Sequence, residues 1–144
     1  MGLLILAAAV AAQAVSLECS KSGPAFMASY AADLAKGDRG AIASRYSGNG
    51  AYSLGFGPKT RESFEAIGKR YAGPEWQKPD KFEWTDLSFE QLGQDHCLVA
   101  GGFNWTVGQR TAAMAYTAVL KRERGVLRII LEHESMLTPP RAQK

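Results

Sequence analysis

Two glutamates stand near the end of the last apolar run of this chain, in Arg128-Ile129-Ile130-Leu131-Glu132-His133-Glu134-Ser135. Residues two apart on a strand point to one face, so Glu132 and Glu134 share a surface. In a water-poor site two neighbouring carboxylates resist ionising together. At least one pKa rises, and that group becomes a usable acid or base near neutral pH. An opposing reading makes Ile129 and Leu131 the buried parity and the glutamates a solvated strand face. His133, between them, points away from both, which suits a subunit interface or a strand end better than a catalytic centre.

The remaining reactive side chains are few. Cys19 and Cys97 can pair in an oxidising compartment, but Cys97 falls in a predicted buried strand, where a free cysteine packs as a small hydrophobe. Both readings stand. His96 and Cys97 are adjacent on that strand and face opposite sides. With only two histidines in the chain and no spaced ligand cluster, no metal and no cofactor is expected. Asn104-Trp105-Thr106 matches a glycosylation acceptor but lies mid-strand, where it is discounted.

The elements that must position these groups fall into two halves. Pro24 suits a first helical turn, and Phe26, Met27, Tyr30, Ala31 and Leu34 make one stripe at helical period before Gly37 stops the helix. Asp38 caps a second short helix with Ala41, Ile42 and Tyr46 inward. An extended piece at 51–54 precedes the Gly55-Phe56-Gly57-Pro58 loop. Thr60 is the expected cap of a third helix showing Phe64, Ile67 and Tyr71.

From there the period changes to two, with turns at Gly93-Gln94-Asp95, Gly108-Gln109 and Glu123-Arg124-Gly125 separating strands near 81–91, 96–107, 111–122 and 126–136. Phe82 and Trp84 share one parity and Leu87 and Phe89 the other, which predicts a bulge near Asp86 and a curved sheet. The fold class is α+β: N-terminal helices packed on a strongly curved antiparallel sheet, a cone-shaped barrel around an apolar pocket. Phe103, Asn104, Trp105, Tyr116 and Leu120 are candidates for its sheet side, with the facing of 96–107 open to a one-residue slip that exchanges the faces.

A chain of 144 residues, 46% hydrophobic and 22% charged, is one globular domain with a real core. Its net charge of +3 comes without the clustered basic face that nucleic-acid binding needs. Leu3 to Ala12 is an apolar run ending in Ala12-Gln13-Ala14, a small-x-small cleavage site. It is shorter than the ~20 residues of a spanning helix. We read 1–14 as a signal peptide, 15–23 as a leader, 24–137 as the domain and 138–144 as a tail. The product is expected to be secreted or periplasmic and free of the membrane after cleavage.

Tyr30-Ala-Ala-Asp-Leu-Ala-Lys-Gly37-Asp38, the Ala66-Ile67 helix ending at Tyr71, Gly93-Gln94-Asp95 before a strand, and the 128–135 segment, in that order and spacing, resemble the nuclear-transport-factor-2-like superfamily with its SnoaL-like and ketosteroid-isomerase-like members. The resemblance covers roughly 24–137 by the strand pattern. It implies that Tyr30 stands where the isomerases place an oxyanion-stabilising tyrosine and that Tyr46 and Tyr71 are further pocket tyrosines, although three helix tyrosines also fit an ordinary core. It places Leu54 where those enzymes carry the general-base aspartate, and Thr117 or Ala118 near their second acid. Steroid isomerisation is therefore not expected. Similarity to the association domain of calcium/calmodulin-dependent kinases implies that Glu132 and Glu134 face the pocket.

The leading functional expectation is an exported binding domain for a small apolar ligand, acting as a homodimer through an apolar convex face carrying Val119, Ile129 and Leu131. The alternative is a cofactor-free acid/base enzyme of isomerase, cyclase or dehydratase type, with Tyr30 as oxyanion donor and Glu132 or Glu134 as proton carrier. An open cavity holding the Tyr30 hydroxyl and a glutamate favours the enzyme; a filled one favours assembly.

Overall fold

A computed structural model of the chain describes residues 18–137. The expected signal segment 1–14, residues 15–17 of the leader and the 138–144 tail lie outside the described residues. In chain order the elements are α1 (Cys19–Lys36), α2 (Arg39–Ser44), β1 (Ala51–Leu54), β2 (Arg61–Glu62), α3 (Phe64–Ala72), β3 (Lys81–Leu92), β4 (His96–Val107), β5 (Arg110–Glu123) and β6 (Val126–Met136).

Helix α1 begins five residues before Pro24. The cause is long-range: Cys19 and Cys97 form a disulfide, Cα–Cα 5.4 Å, that ties the first turn to β4, and the Cys19 N–H donates to Gln91 Oε1 at 2.9 Å. Cys97 is thus not a free small hydrophobe. Pro24 then lies inside the helix, where it lacks the N–H that Ser20 C=O would accept, and exposed Ser20 leaves that carbonyl to water. Met27, Tyr30 and Leu34 are buried against the sheet, and Trp84 Nε1 donates to Met27 O at 2.8 Å. Asp38 caps α2 by accepting from Ala41 N at 3.0 Å. The cap of α3 is Ser63, which accepts from Ala66 N at 3.1 Å, rather than Thr60. The reason is that Arg61 and Glu62 pair with Tyr52 and Ala51 as a short strand and delay the helix.

The sheet order is β2-β1-β6-β5-β4-β3. It is curved, mixed and open, and with the helices packed across it makes the expected cone-shaped α+β fold, departing from the antiparallel expectation at the β1–β6 pair. Tyr46 bridges to Ile129 at the end of α2, so the chain enters β1 already running along β6, and Tyr52, Ser53 and Leu54 pair in parallel with Leu131, Glu132 and His133. β3 and the two-residue β2 are left as edges.

Two irregularities curve the sheet. The first is the expected one: Asp86 has φ 51° and the register shifts between Thr85 and Ser88, so Phe82, Trp84, Leu87 and Phe89 all pack on the core. The second lies in β6, where consecutive Val119 and Leu120 pair with Leu131 and Ile129, leaving Ile130 as an extra residue.

Candidate functional site

Between α1, α3 and the inner sheet face lies an open cavity of about 440 Å³. Its apolar wall is made by Phe82 and Trp84 on β3, Phe103 and Trp105 on β4, Met114 on β5, and Trp76 from the connection after α3. All three tryptophans of the chain are on it. The rings hold one another edge to face, Phe82 against Trp84 at 4.7 Å and 86° and Trp76 against Trp105 at 6.2 Å and 90°, so the wall is preformed. Arg39 fixes the Trp76 segment by donating to Tyr71 O, Gly73 O and Trp76 O at 2.9, 2.7 and 3.0 Å, with its guanidinium 5.1 Å from the Trp76 ring centroid.

The opposite wall is polar: Tyr30 of α1, Ser53 of β1, Arg70 and Tyr71 of α3, and Glu132 and Glu134 of β6. The β6 irregularity creates it. Because Ile130 is extra, Ile129 and Leu127 are buried and Glu132 is buried too, whereas Leu131 faces outward. The expected single parity of Ile129 and Leu131 is thereby corrected, and the glutamates are not a solvated face.

Glu132 is 4% exposed and held by two phenols, Tyr46 Oη donating to Oε1 and Tyr116 Oη to Oε2, the latter at 3.2 Å. Tyr46 Oη lies 2.7 Å from Tyr71 Oη and 3.4 Å from Tyr30 Oη. Once Tyr46 has given its proton to Glu132, Tyr71 donates to Tyr46. Tyr30 in turn donates to Tyr46 over the longer 3.4 Å contact, the weakest link of this chain of phenols. Burial first, then the Glu132 charge, raises the pKa of Tyr30, Tyr46 and Tyr116 well above the usual phenol value, so they act as donors. Burial also raises Glu132, against the opposing hydrogen bond from Tyr46 and the charge of Arg70.

Glu134 differs from Glu132 in being uncommitted: no hydrogen bond engages its side chain among the described residues. Burial, and next the charge of Glu132, push its carboxyl up to about 8, with Arg70 pulling the other way. Such a group holds a proton at neutral pH and exchanges it readily.

The other expected site residues divide. Leu54 and Trp105 line the cavity. Tyr46 and Tyr116 lie beneath it, reaching it through Glu132. Leu120 is fully buried on the same inner parity but belongs to the core below the cavity. Asn104 is corrected: strict alternation with Trp105, whose register partners are Phe82 and Ala112, sends Asn104 to the outer face. Sequence reasoning missed Arg70, Ser53 and Trp76. Arg70 Nε contacts both Glu62 oxygens at 3.1 Å and its Nη2 donates to Ser53 Oγ at 3.0 Å. Those partners come from two other elements, β2 and β1, and no spacing in the sequence announces them. Among the described residues no cluster of His, Cys, Asp and Glu is arranged to hold a metal.

No family model matches the chain, and no curated protein matches it. Solved structures do. A proposed ketosteroid isomerase from Parabacteroides distasonis is 18% identical with a TM-score of 0.67, over 81% of this chain and 86% of its own. A proposed calcium/calmodulin-dependent protein kinase II association domain from Xanthomonas campestris is 21% identical with a TM-score of 0.69, over 90% and 97%. An NTF-2 like protein of unknown function from Shewanella oneidensis is 13% identical with a TM-score of 0.70, over 80% and 97%.

Proposed function

The chain has the nuclear-transport-factor-2-like fold, and on that scaffold we propose a cofactor-free acid/base enzyme for a small, largely apolar, oxygen-bearing molecule. Fold alone does not carry this reading. The observation that does is an open aromatic cavity holding an uncommitted carboxyl, Glu134, together with the Tyr30 phenol, whose proton is held only by a 3.4 Å contact to Tyr46.

The chemistry follows from those two groups. Glu134, as carboxylate, takes the proton from a carbon next to a carbonyl, while Tyr30 donates to the oxygen on which negative charge develops. The proton on Glu134 then returns either to a more distant carbon, which shifts a double bond, or to a departing hydroxyl, which leaves as water. The Tyr46–Glu132–Tyr116 network beneath keeps Tyr30 aimed and supplies the field that lets Glu134 hold its proton. Binding without turnover uses the same cavity, but a half-buried carboxyl kept free of protein partners favours catalysis.

Proton NMR in D₂O with 1-indanone as probe tests the reading. Wild-type protein is expected to accelerate loss of the α-proton signal, with Glu134→Gln reducing the rate about 10²-fold or more and Tyr30→Phe reducing it also. Equal rates for wild type and Glu134→Gln overturn the proposal.

Export and pairing belong to the same proposal. The Cys19–Cys97 disulfide supports an oxidising compartment, secreted or periplasmic, and intact mass of the secreted product is expected to begin near Val15. For a homodimer, Ile129 is withdrawn from the outer face by its burial. Leu98, Val119 and Leu131, in register across β4, β5 and β6, support it in its place, as does the likeness to an association domain. Sedimentation of Val119→Lys should then show monomer where wild type shows dimer.

A further inference from the structure

We propose that the substrate of this cavity carries a carboxylate seated on Nη1 of Arg70 with its apolar body against the tryptophan wall. This rests on the reading of the cavity as the reaction site and names the class of molecule it takes.

Arg70 is fixed from behind. Nε spans the two oxygens of Glu62, Nη2 holds Ser53 Oγ, and the guanidinium lies 4.9 Å from the Tyr71 ring centroid. β1, β2 and α3 therefore all constrain one side chain. Nη1 is the one guanidinium nitrogen without a partner among the described residues, and Arg70 lines the cavity. A planar guanidinium held along one edge presents its remaining N–H groups in a set direction, which is what recognition of a carboxylate requires.

Glu62 offsets the charge of Arg70 but cannot supply acceptors on the cavity side, being engaged at Nε. The Tyr30 phenol, which also lines the cavity, agrees in sign of demand, being a donor. Two donors on one wall call for a ligand rich in acceptors. The opposing candidate is an ammonium ligand, drawn by the tryptophans and by Glu132, Glu134 and rim Glu75. It would stand against Arg70 and find Glu132 already filled by two phenols.

Three probes of one shape decide the matter without any turnover: 2-naphthoate, methyl 2-naphthoate and 2-naphthylmethylamine, titrated into the full chain by NMR at pH 7. The naphthoate is expected to bind about tenfold more tightly than the ester and the amine, the scale of one charge-assisted hydrogen bond. In Arg70→Gln that advantage should shrink to about twofold or less, and Glu62→Gln should keep most of it. A wild-type preference for ester or amine, no binding by any of the three, or a naphthoate preference that survives Arg70→Gln overturns the proposal. Because the titration reads binding alone, it can fail while the D₂O exchange succeeds, and the reverse, so the two ideas are separable.

Discussion

Ile129 and Glu132 face the same interior from one strand although they stand three positions apart. In a regular strand an odd separation sends side chains to opposite faces. Ile130, left without a partner opposite Val119 and Leu120, turns β6 over at that point. The hydrophobic core below and the carboxylates above are thereby built on one side of the sheet.

Glu134 makes stability depend on pH in a set direction. Its carboxyl rises from an ordinary 4.5 to about 8 on folding, so between those values the native state holds more protons than the unfolded chain and stability falls as pH rises. The contribution is fully present below about pH 4.5 and gone above about pH 8. Glu134→Gln should therefore gain on wild type between pH 5 and pH 8.5, by on the order of a few kcal/mol. Urea melts at four pH values read this, and parallel stability curves would refute the burial-driven shift.

Steroid double-bond isomerisation should be absent from wild type. Leu54 lines the cavity where the resembled isomerases have their base, and loss of a positioned base is worth about 10²- to 10⁴-fold. Glu134 stands one strand over and approaches from another side. An absorbance assay on a β,γ-unsaturated steroid ketone should show background in wild type and a gain in Leu54→Asp. Robust wild-type turnover lost in Glu134→Gln would contradict this.

Gly55 sets the height of Glu134. Its φ is 102°, and a Cβ there would lie 1.9 Å from the carbonyl oxygen of Glu134. Gly55→Ala should cost about 2–3 kcal/mol through backbone strain and displacement of β6. Its residual fold should also show an altered Glu134 titration by carbon-detected NMR. An unchanged melt and titration would show that the loop does not position the carboxylate.

Removing the disulfide should loosen one end of the molecule. Its closure spans 78 residues, and removing such a bridge costs about 2–5 kcal/mol. In Cys19→Ala/Cys97→Ala, amide exchange should accelerate most in the turns of α1 before Met27, where Pro24 already removes one helical hydrogen bond. Uniform acceleration through α1 and the sheet would argue against a local anchor.

The helices, the four long strands and the Asp86 bulge were legible in the sequence because each follows from local periodicity. Stripes at 3.6 residues, alternation at two, and a parity change between Trp84 and Leu87 need no knowledge of the partner strand. Tyr30 and Tyr71 stood out as candidates through the resemblance to the isomerases, and Glu134 as one of two carboxylates sharing a strand face whose direction local pattern left open.

What tertiary structure alone decided was everything that depends on a residue far away in the chain. Ile130 interrupts an apolar run in which each residue looks equally buried, so only pairing with β5 reveals the extra residue and moves Glu132 and Glu134 inside. Asn104 and Trp105 exchange roles on a one-residue choice of register that their own composition leaves undetermined. Cys19 meets Cys97 across 78 residues, and Arg70 gathers Glu62 and Ser53 from separate strands. Chain spacing carries no information about such contacts, because they arise from packing elements whose side chains were chosen by the cavity between them.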